Sequence, residues 1–344
     1  MDYDGLMIKY KYRASSILTE EEMSHQLRQH EPIDLQGKRV MDDTAVIHLS
    51  SNYMEIVDKY YSVKGFLTFP ALMFFLLFSW GVCSYSLTMF QDLMTGRIRD
   101  TFFWGFGITM VIISFLLAWG MLKMLRVECF RWTHYPVRFD RKHQLVHVFS
   151  VDGEVYSVPW KEVFFTTGDC AEYKKMKRKY YDIRGHVLAE DRKTVLKTFT
   201  LAVSASSREQ LYPHWEFVRR YMEEGPQAVA KVLKIMPPVE GRREGVFFGY
   251  WYLMFSATYG APVFLVPFLM VLYLAAWPFR VFAMYTSKIP RWTAEVEAMC
   301  QIDPDDPWDI SAAQNPRSIW RWMLGMDKAH TMLDKKRQSL SMGK

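Results

Sequence analysis

Charged side chains vanish from this chain in three long stretches. Gly65 to Gln91 runs 27 residues without one, Thr101 to Leu122 runs 22, and Val246 to Phe279 runs 34. The first two match the roughly 20 residues a helix needs to cross a bilayer. Neither carries the polar stripe expected of a long helix on a soluble core. They predict a transmembrane helical hairpin over 65–122, after a polar N-terminal segment, 1–64. The first apolar run begins too late for a cleaved signal and reads as a retained span.

The third stretch poses a parity question. As one helix it would reach about 51 Å, against a hydrocarbon core of about 30 Å. Tyr259-Gly260-Ala261-Pro262 supplies a break, because Gly permits a turn and Pro interrupts the hydrogen-bond ladder. The arm before the break is short and aromatic, and the arm after it holds Pro267 and Pro278. The pattern favours a second membrane-embedded hairpin over 246–283, shallow, entering and leaving on one face. An interfacial helix plus a single span, or a buried soluble helix pair, are the other readings.

Between the apolar blocks the period changes from helical to alternating. "VRFDRKHQLVHVFSVDGEVYSVPW" alternates apolar and polar positions around Asp152-Gly153, a strong hairpin signal. "YYDIRGHVLA" and "TVLKTFTLAV" form a second pair about the polar turn Glu190 to Lys193. Leu211, Trp215, Val218 and Met222 then recur on one helical face, with Ser206 and Glu209 at capping-box spacing and Pro213 moving the start later. Residues 123–225 therefore predict four to six antiparallel strands closed by one helix, a pleckstrin-homology-like outline. A linker, 226–245, precedes the third block. A helical tail, 284–344, follows it, with Asn315 and Pro316 as N-cap and first helical residue. The fold class is membrane α + β.

Charge orients these parts. Lys123, Arg126, Arg131, Arg138, Arg141 and Lys142 crowd the stretch after the second block, whereas Arg97 and Arg99 in the short loop before it are balanced by Asp92 and Asp100. The positive-inside rule puts the N-terminal segment, the β-rich domain and the tail in the cytoplasm, as in a multi-pass protein of a bacterial inner membrane. The net charge of +6 adds little. Lys174, Lys175, Lys177, Arg178 and Lys179 form the densest basic cluster, an expected contact for anionic lipid at roughly 1 kcal/mol per residue. Nothing points to nucleic acid.

Catalytic chemistry is not legible. There is no phosphate loop, zincin motif or nucleophile elbow. Four cysteines show no paired spacing. His143 and His147, read as residues of one strand, would lie about 13 Å apart, too far to share a metal. Asp303, Asp305, Asp306 and Asp309 are interrupted by prolines. The expectation is a non-enzyme without cofactor or metal, whose partners are the bilayer and a protein, in an oligomeric state the sequence leaves open.

One stretch resembles a known group. Arg138, Phe139, Asp140, Arg141 and Lys142, followed by Trp160 and the pair Phe164-Phe165, are similar to the turn and Trp of a proteobacterial membrane protein family with a transmembrane hairpin and a β-rich cytoplasmic domain. The resemblance implies association with type VI secretion effector loci. From it comes the expectation of an immunity protein that binds and neutralises a cognate antibacterial toxin. A membrane adaptor for effector delivery and a lipid-sensing membrane protein are the alternatives.

Overall fold

The computed structural model describes residues 16–97, 100–169, 180–258, 262–316, 318–319, 332 and 336. The chain forms two compact units. Met1–Val63, Trp132–Tyr259 and Ile289–Lys344 make a β-rich unit; Lys64–Arg131 and Gly260–Lys288 make a helical one. These units cut across the segments expected from sequence.

The β-rich unit holds two antiparallel sheets. The strands are β1 (Ser16–Ile17), β2 (Gln26–Leu27), β3 (Val46–Leu49), β4 (Tyr53–Ile56), β5 (Val137–Asp140), β6 (Leu145–Phe149), β7 (Val155–Pro159), β8 (Val163–Asp169), β9 (Tyr181–Leu188), β10 (Thr194–Ala205) and β11 (Ile310–Ser311). One sheet has the order β1-β10-β9-β8-β2, the other β11-β3-β4-β5-β6-β7. The six strands expected at most between 123 and 225 are β5 to β10, and the turns at Asp152-Gly153 and Glu190 to Lys193 fall where the alternation placed them. The N-terminal segment and the tail also supply strands, which the sequence reading missed. β4 pairs with β5, and β3 with β11.

Both sheets share one core. Phe139, Trp160, Phe165, Phe199 and Trp215 are buried in it together. Trp160 stacks on Trp215 with ring centroids 5.9 Å apart, and Phe165 sits 4.9 Å from Trp215. Helix α4 (Tyr212–Glu224) closes the core, and Pro213 in its first turn sets the start after Ser206 and Glu209. Leu211, Trp215, Val218 and Met222 are all buried, as their spacing required. Gly185 lets the strands pack this tightly: a Cβ there would lie 2.3 Å from the Phe199 ring.

Residues 226–245, expected to be a linker, belong to the core. Val229, Ala230, Leu233 and Met236 are buried within it. Their apolar side chains made this stretch a poor candidate for a solvated connection. Asn315, expected to cap a tail helix, instead clamps this segment. Its amide donates to the Met236 carbonyl at 2.7 Å and accepts from the Met236 N–H at 2.9 Å. The tail helix expected beyond it lies almost wholly outside the described residues.

The helical unit contains α2 (Thr68–Met94), α3 (Thr101–Glu128) and α6 (Val266–Thr286). All three are long and apolar enough to cross a membrane. The α2 N-terminus has no cap from its own sequence. Glu128, at the end of α3, supplies one. Its Oε2 accepts from the Gly65 N–H at 3.1 Å, the Thr68 N–H at 2.8 Å and the Thr68 hydroxyl at 2.7 Å. A carboxylate there satisfies orphan amides and meets the positive end of the helix dipole. Gly65 has φ +97° and its Cβ position is 2.5 Å from the Arg280 backbone, so no larger residue fits. Asp100 caps α3 by accepting from the Phe103 N–H.

The third apolar stretch forms two helices; of the expected break between them, Tyr259, Gly260 and Ala261 lie outside the described residues. Helix α5 (Val246–Thr258) ends before Pro262, and α6 begins at Val266 with Pro267 in its first turn. Tyr252, Leu253 and Met254 of α5 are buried in the β-rich unit. There the Tyr252 and Tyr61 rings meet edge to face at 5.0 Å.

Candidate functional site

The resembling turn builds a buried polar cluster. β5 and β6 meet at Asp140 to Gln144, and the turn makes Asp140 the centre. Its Oδ1 accepts from the His143 N–H at 2.9 Å, and its Oδ2 accepts from His143 Nδ1 at 2.7 Å. From β6, His147 Nε2 faces the same oxygen at 3.6 Å. The Cys300 thiol faces it from the C-terminus of helix α7 (Ala294–Met299) at 3.7 Å. Thus His143 and His147 converge on one carboxylate. The 13 Å separation read from the sequence fails because His143 lies in the turn, which folds back over the strand end.

Asp140, His147 and Cys300 are buried, and their ligand-type atoms lie within 4.8 Å of one another. Burial works against the Asp140 carboxylate, but His147 and His143 prevail and hold it below the ordinary range. Burial pushes the Cys300 thiol up to about 12. His147 Nδ1 lies 2.7 Å from the Ser157 hydroxyl, and Nε2 has no hydrogen-bond partner among the described residues.

Beside this cluster, Arg138 is boxed in. Its Nε and Nη2 donate to Glu55 Oε2 at 2.9 and 2.7 Å, and Trp292 Nε1 donates to the same oxygen at 3.0 Å. The guanidinium lies over Tyr53 at 4.4 Å and over Trp292 at 4.8 Å. Burial alone would weaken this cation; the Glu55 carboxylate outweighs burial and keeps it protonated.

The rest of the motif is structural. Phe139, Trp160 and Phe165 fill the core, and Trp160 Nε1 donates to Glu223 at 2.7 Å. Phe164 is half-buried beside His186. Arg141 and Lys142 anchor the turn through backbone N–H groups that both reach the Asn52 carbonyl. The acidic run is structural as well. Asp306 accepts from the Ser51 N–H at 2.7 Å and its hydroxyl at 2.8 Å. Asp309 faces His48 Nε2 at 3.0 Å while Glu240 faces His48 Nδ1 at 2.9 Å. Burial disfavours the His48 cation, but these two carboxylates prevail and lift it to about 9.

A second feature is a cavity of about 940 Å³ lined by Lys38, Arg39, Lys231, Lys234, Asp42 and Tyr252, among others. Lys38, Arg39, Lys231 and Lys234 are exposed. Asp42 is buried, its carboxyl pushed up to about 7 by burial and by Asp43. The cavity can seat an anionic group at its rim. The basic cluster Lys174, Lys175, Lys177, Arg178 and Lys179 lies outside the described residues.

One comparison with known proteins gives a match. The model of a family of unknown function (DUF6708) matches residues 114–304, more than half of the chain, including the turn at Asp140, Trp160 and Cys300. No curated protein and no solved structure matches.

Proposed function

The chain belongs to the DUF6708 family, and we propose that it is a multi-pass membrane protein whose β-rich unit is a binding module for a protein partner, held on the cytoplasmic side of a bacterial inner membrane. Chain connectivity carries this reading. β4 and β5 are hydrogen-bonded neighbours, yet α2 and α3 lie between them in sequence. β3 and β11 are neighbours as well, with α2, α3, α5 and α6 between them. A sheet cannot straddle a bilayer. Every apolar excursion from it therefore returns to the face it left.

That parity bears on the third stretch. The core contains both Met236 and Ile310, on either side of α5 and α6. An odd number of crossings between them is inconsistent with one folded core. The 13 residues of α5 are too few to span. The stretch therefore re-enters on the face that it left. This supports a shared location for the domain and the tail, and the excess of Lys and Arg after α3 makes that location cytoplasmic. Strands β5 to β10, closed by α4, support the pleckstrin-homology-like outline read for 123–225.

Within this reading the partner is an antibacterial toxin, and the chain neutralises it as an immunity protein. Support comes from the resemblance of Arg138 to Lys142 and Trp160 to membrane proteins of type VI secretion effector loci. Two measurements test it. Alkaline phosphatase fused after Lys344 is expected to be inactive, and fused near Thr95 active; an active C-terminal fusion sinks the topology. Deleting the gene is expected to expose cells to killing by toxin-bearing kin, with the defect relieved when the toxin is deleted too. Healthy cells that fail to deliver a toxin would instead mark an adaptor.

A further inference from the structure

We propose that Asp140, His147 and Cys300 bind one transition-metal ion of the zinc class, joining the β5–β6 hairpin to the C-terminus of α7. The inference does not depend on the immunity reading. It rests on three observations of the same cluster.

The first is spacing. Bond lengths of about 2.0–2.2 Å to N and O, and 2.3 Å to S, place ligands around tetrahedral zinc about 3.4 Å apart for N and O and about 3.6 Å apart for S and O. His147 Nε2 and Asp140 Oδ2 are 3.6 Å apart, and Cys300 Sγ and Asp140 Oδ2 are 3.7 Å apart. The nitrogen–oxygen separation exceeds a hydrogen bond, and these two distances are close to the edges of a coordination tetrahedron; the third pair, His147 and Cys300, lies within 4.8 Å and closes to an edge as the ion binds.

The second is an orphan. The His147 side chain is fully buried, and its Nε2 has no hydrogen-bond partner among the described residues. Leaving such an atom unmet costs about 1–3 kcal/mol. In the tautomer that metal binding selects, Nδ1–H donates to the Ser157 hydroxyl and Nε2 carries the lone pair on the side that faces Asp140 and Cys300. A second-shell partner on the far ring nitrogen is the usual way a ligating His is fixed.

The third is charge and softness. A carboxylate and a thiolate neutralise a divalent ion, and the neighbouring Arg138 cation is already matched by Glu55. Imidazole and thiolate together select zinc, cobalt or copper over magnesium and calcium, which take oxygen sets. His143 completes the arrangement. It donates to Asp140 Oδ2, which keeps a second lone pair for the metal. Three protein ligands leave a fourth position for water.

The test uses the full chain in detergent, purified without a polyhistidine tag, stripped with chelator and titrated with cobalt(II) as a probe. About one equivalent is expected to give a thiolate-to-cobalt charge-transfer band and the visible bands of tetrahedral cobalt, both removed by zinc. Cys300→Ala and His147→Gln are each expected to weaken binding about 100-fold or more, beyond what a second-shell contact carries. Each is also expected to abolish the rise in melting temperature that zinc gives the parent. Absence of both the thiolate band and the zinc-dependent rise in the parent overturns the proposal. So does a band undiminished in Cys300→Ala, which would assign the thiolate to another cysteine.

Discussion

Glu55 and Arg138 allow the buried cluster to be weighed by a double-mutant cycle. Both side chains are about 95% buried, on neighbouring strands β4 and β5. Glu55→Leu leaves the guanidinium without its carboxylate and Trp292 Nε1 without its acceptor. Removing one partner of a buried pair costs about 3–5 kcal/mol, because a desolvated charge is stranded. The faces of Tyr53 and Trp292 return about 0.5–2 kcal/mol of that through their quadrupoles. The net for Glu55→Leu is therefore near the lower end, about 2–4 kcal/mol. Arg138→Met leaves the carboxylate with only the Trp292 indole N–H as a partner, so about 3–5 kcal/mol is expected. The double variant removes both charges and keeps most of the volume; it is expected within about 2 kcal/mol of the parent. At about 2–4 °C per kcal/mol for a unit of this size, the single variants melt roughly 5–20 °C lower, and the double variant recovers most of the loss. Thermal unfolding of the full chain in detergent, followed by tryptophan fluorescence, reads the cycle. Additive losses, with the double variant worse than either single, would refute the claim that stranded charge sets the cost.

Three further outcomes follow from single sites. His48 has a folded pKa of about 9, above its unfolded value of about 6.5, so its stabilisation is complete below pH 6.5 and is lost as pH rises through 9. The loss is at most about 3 kcal/mol, since Glu240 and Asp309 are partly exposed, and His48→Gln should flatten the melting profile across that window. Asp42 has the same sign in a lower window: with its carboxyl raised to about 7, stability falls as pH rises from about 4 to 7, and Asp42→Asn should remove that slope and raise the melting temperature at pH 8. Gly185→Ala would push a methyl into the Phe199 ring and should cost about 1–3 kcal/mol, part of it recovered by adding Phe199→Leu; an unchanged melting temperature in the single variant would contradict the packing.

Sequence reading succeeded where one periodicity dominated. The apolar runs marked α2, α3 and the break between α5 and α6, and alternation marked β5 to β10. It failed at β3 and β4, whose eight residues are all buried. Such strands show no alternation, and their His48 and Glu55 look like surface residues until their partners appear. Those partners come from residues 138, 240 and 309, distances that local pattern cannot report. The candidate site was missed for a related reason. Asp140 lay inside the resembling turn, but His143 and His147 were measured along a straight strand, and Cys300 is 160 residues from Asp140.

The same long separations govern how the β-rich unit closes. β4 must find β5 across α2 and α3, and Ser51 must find Asp306 across 255 residues. For a flexible chain, closing loops of that length is slow and costs entropy that grows with the logarithm of length. The helical unit reduces that cost for the first excursion. Glu128 binds Gly65 and Thr68, so the residues that leave β4 and those that approach β5 are held together by the hairpin itself. The effective loop between the strands is then a few residues at each end rather than the whole insertion. The second excursion is anchored in the same way, since the Ser287 hydroxyl donates to the Glu128 carbonyl and the Lys288 N–H to the Arg131 carbonyl. β11 covers the outer edge of β3, which without it would be an unpaired strand. Folding of the apolar helices is thus a precondition for economical closure of the sheets, which gives the buried residues at their ends a structural role independent of any partner.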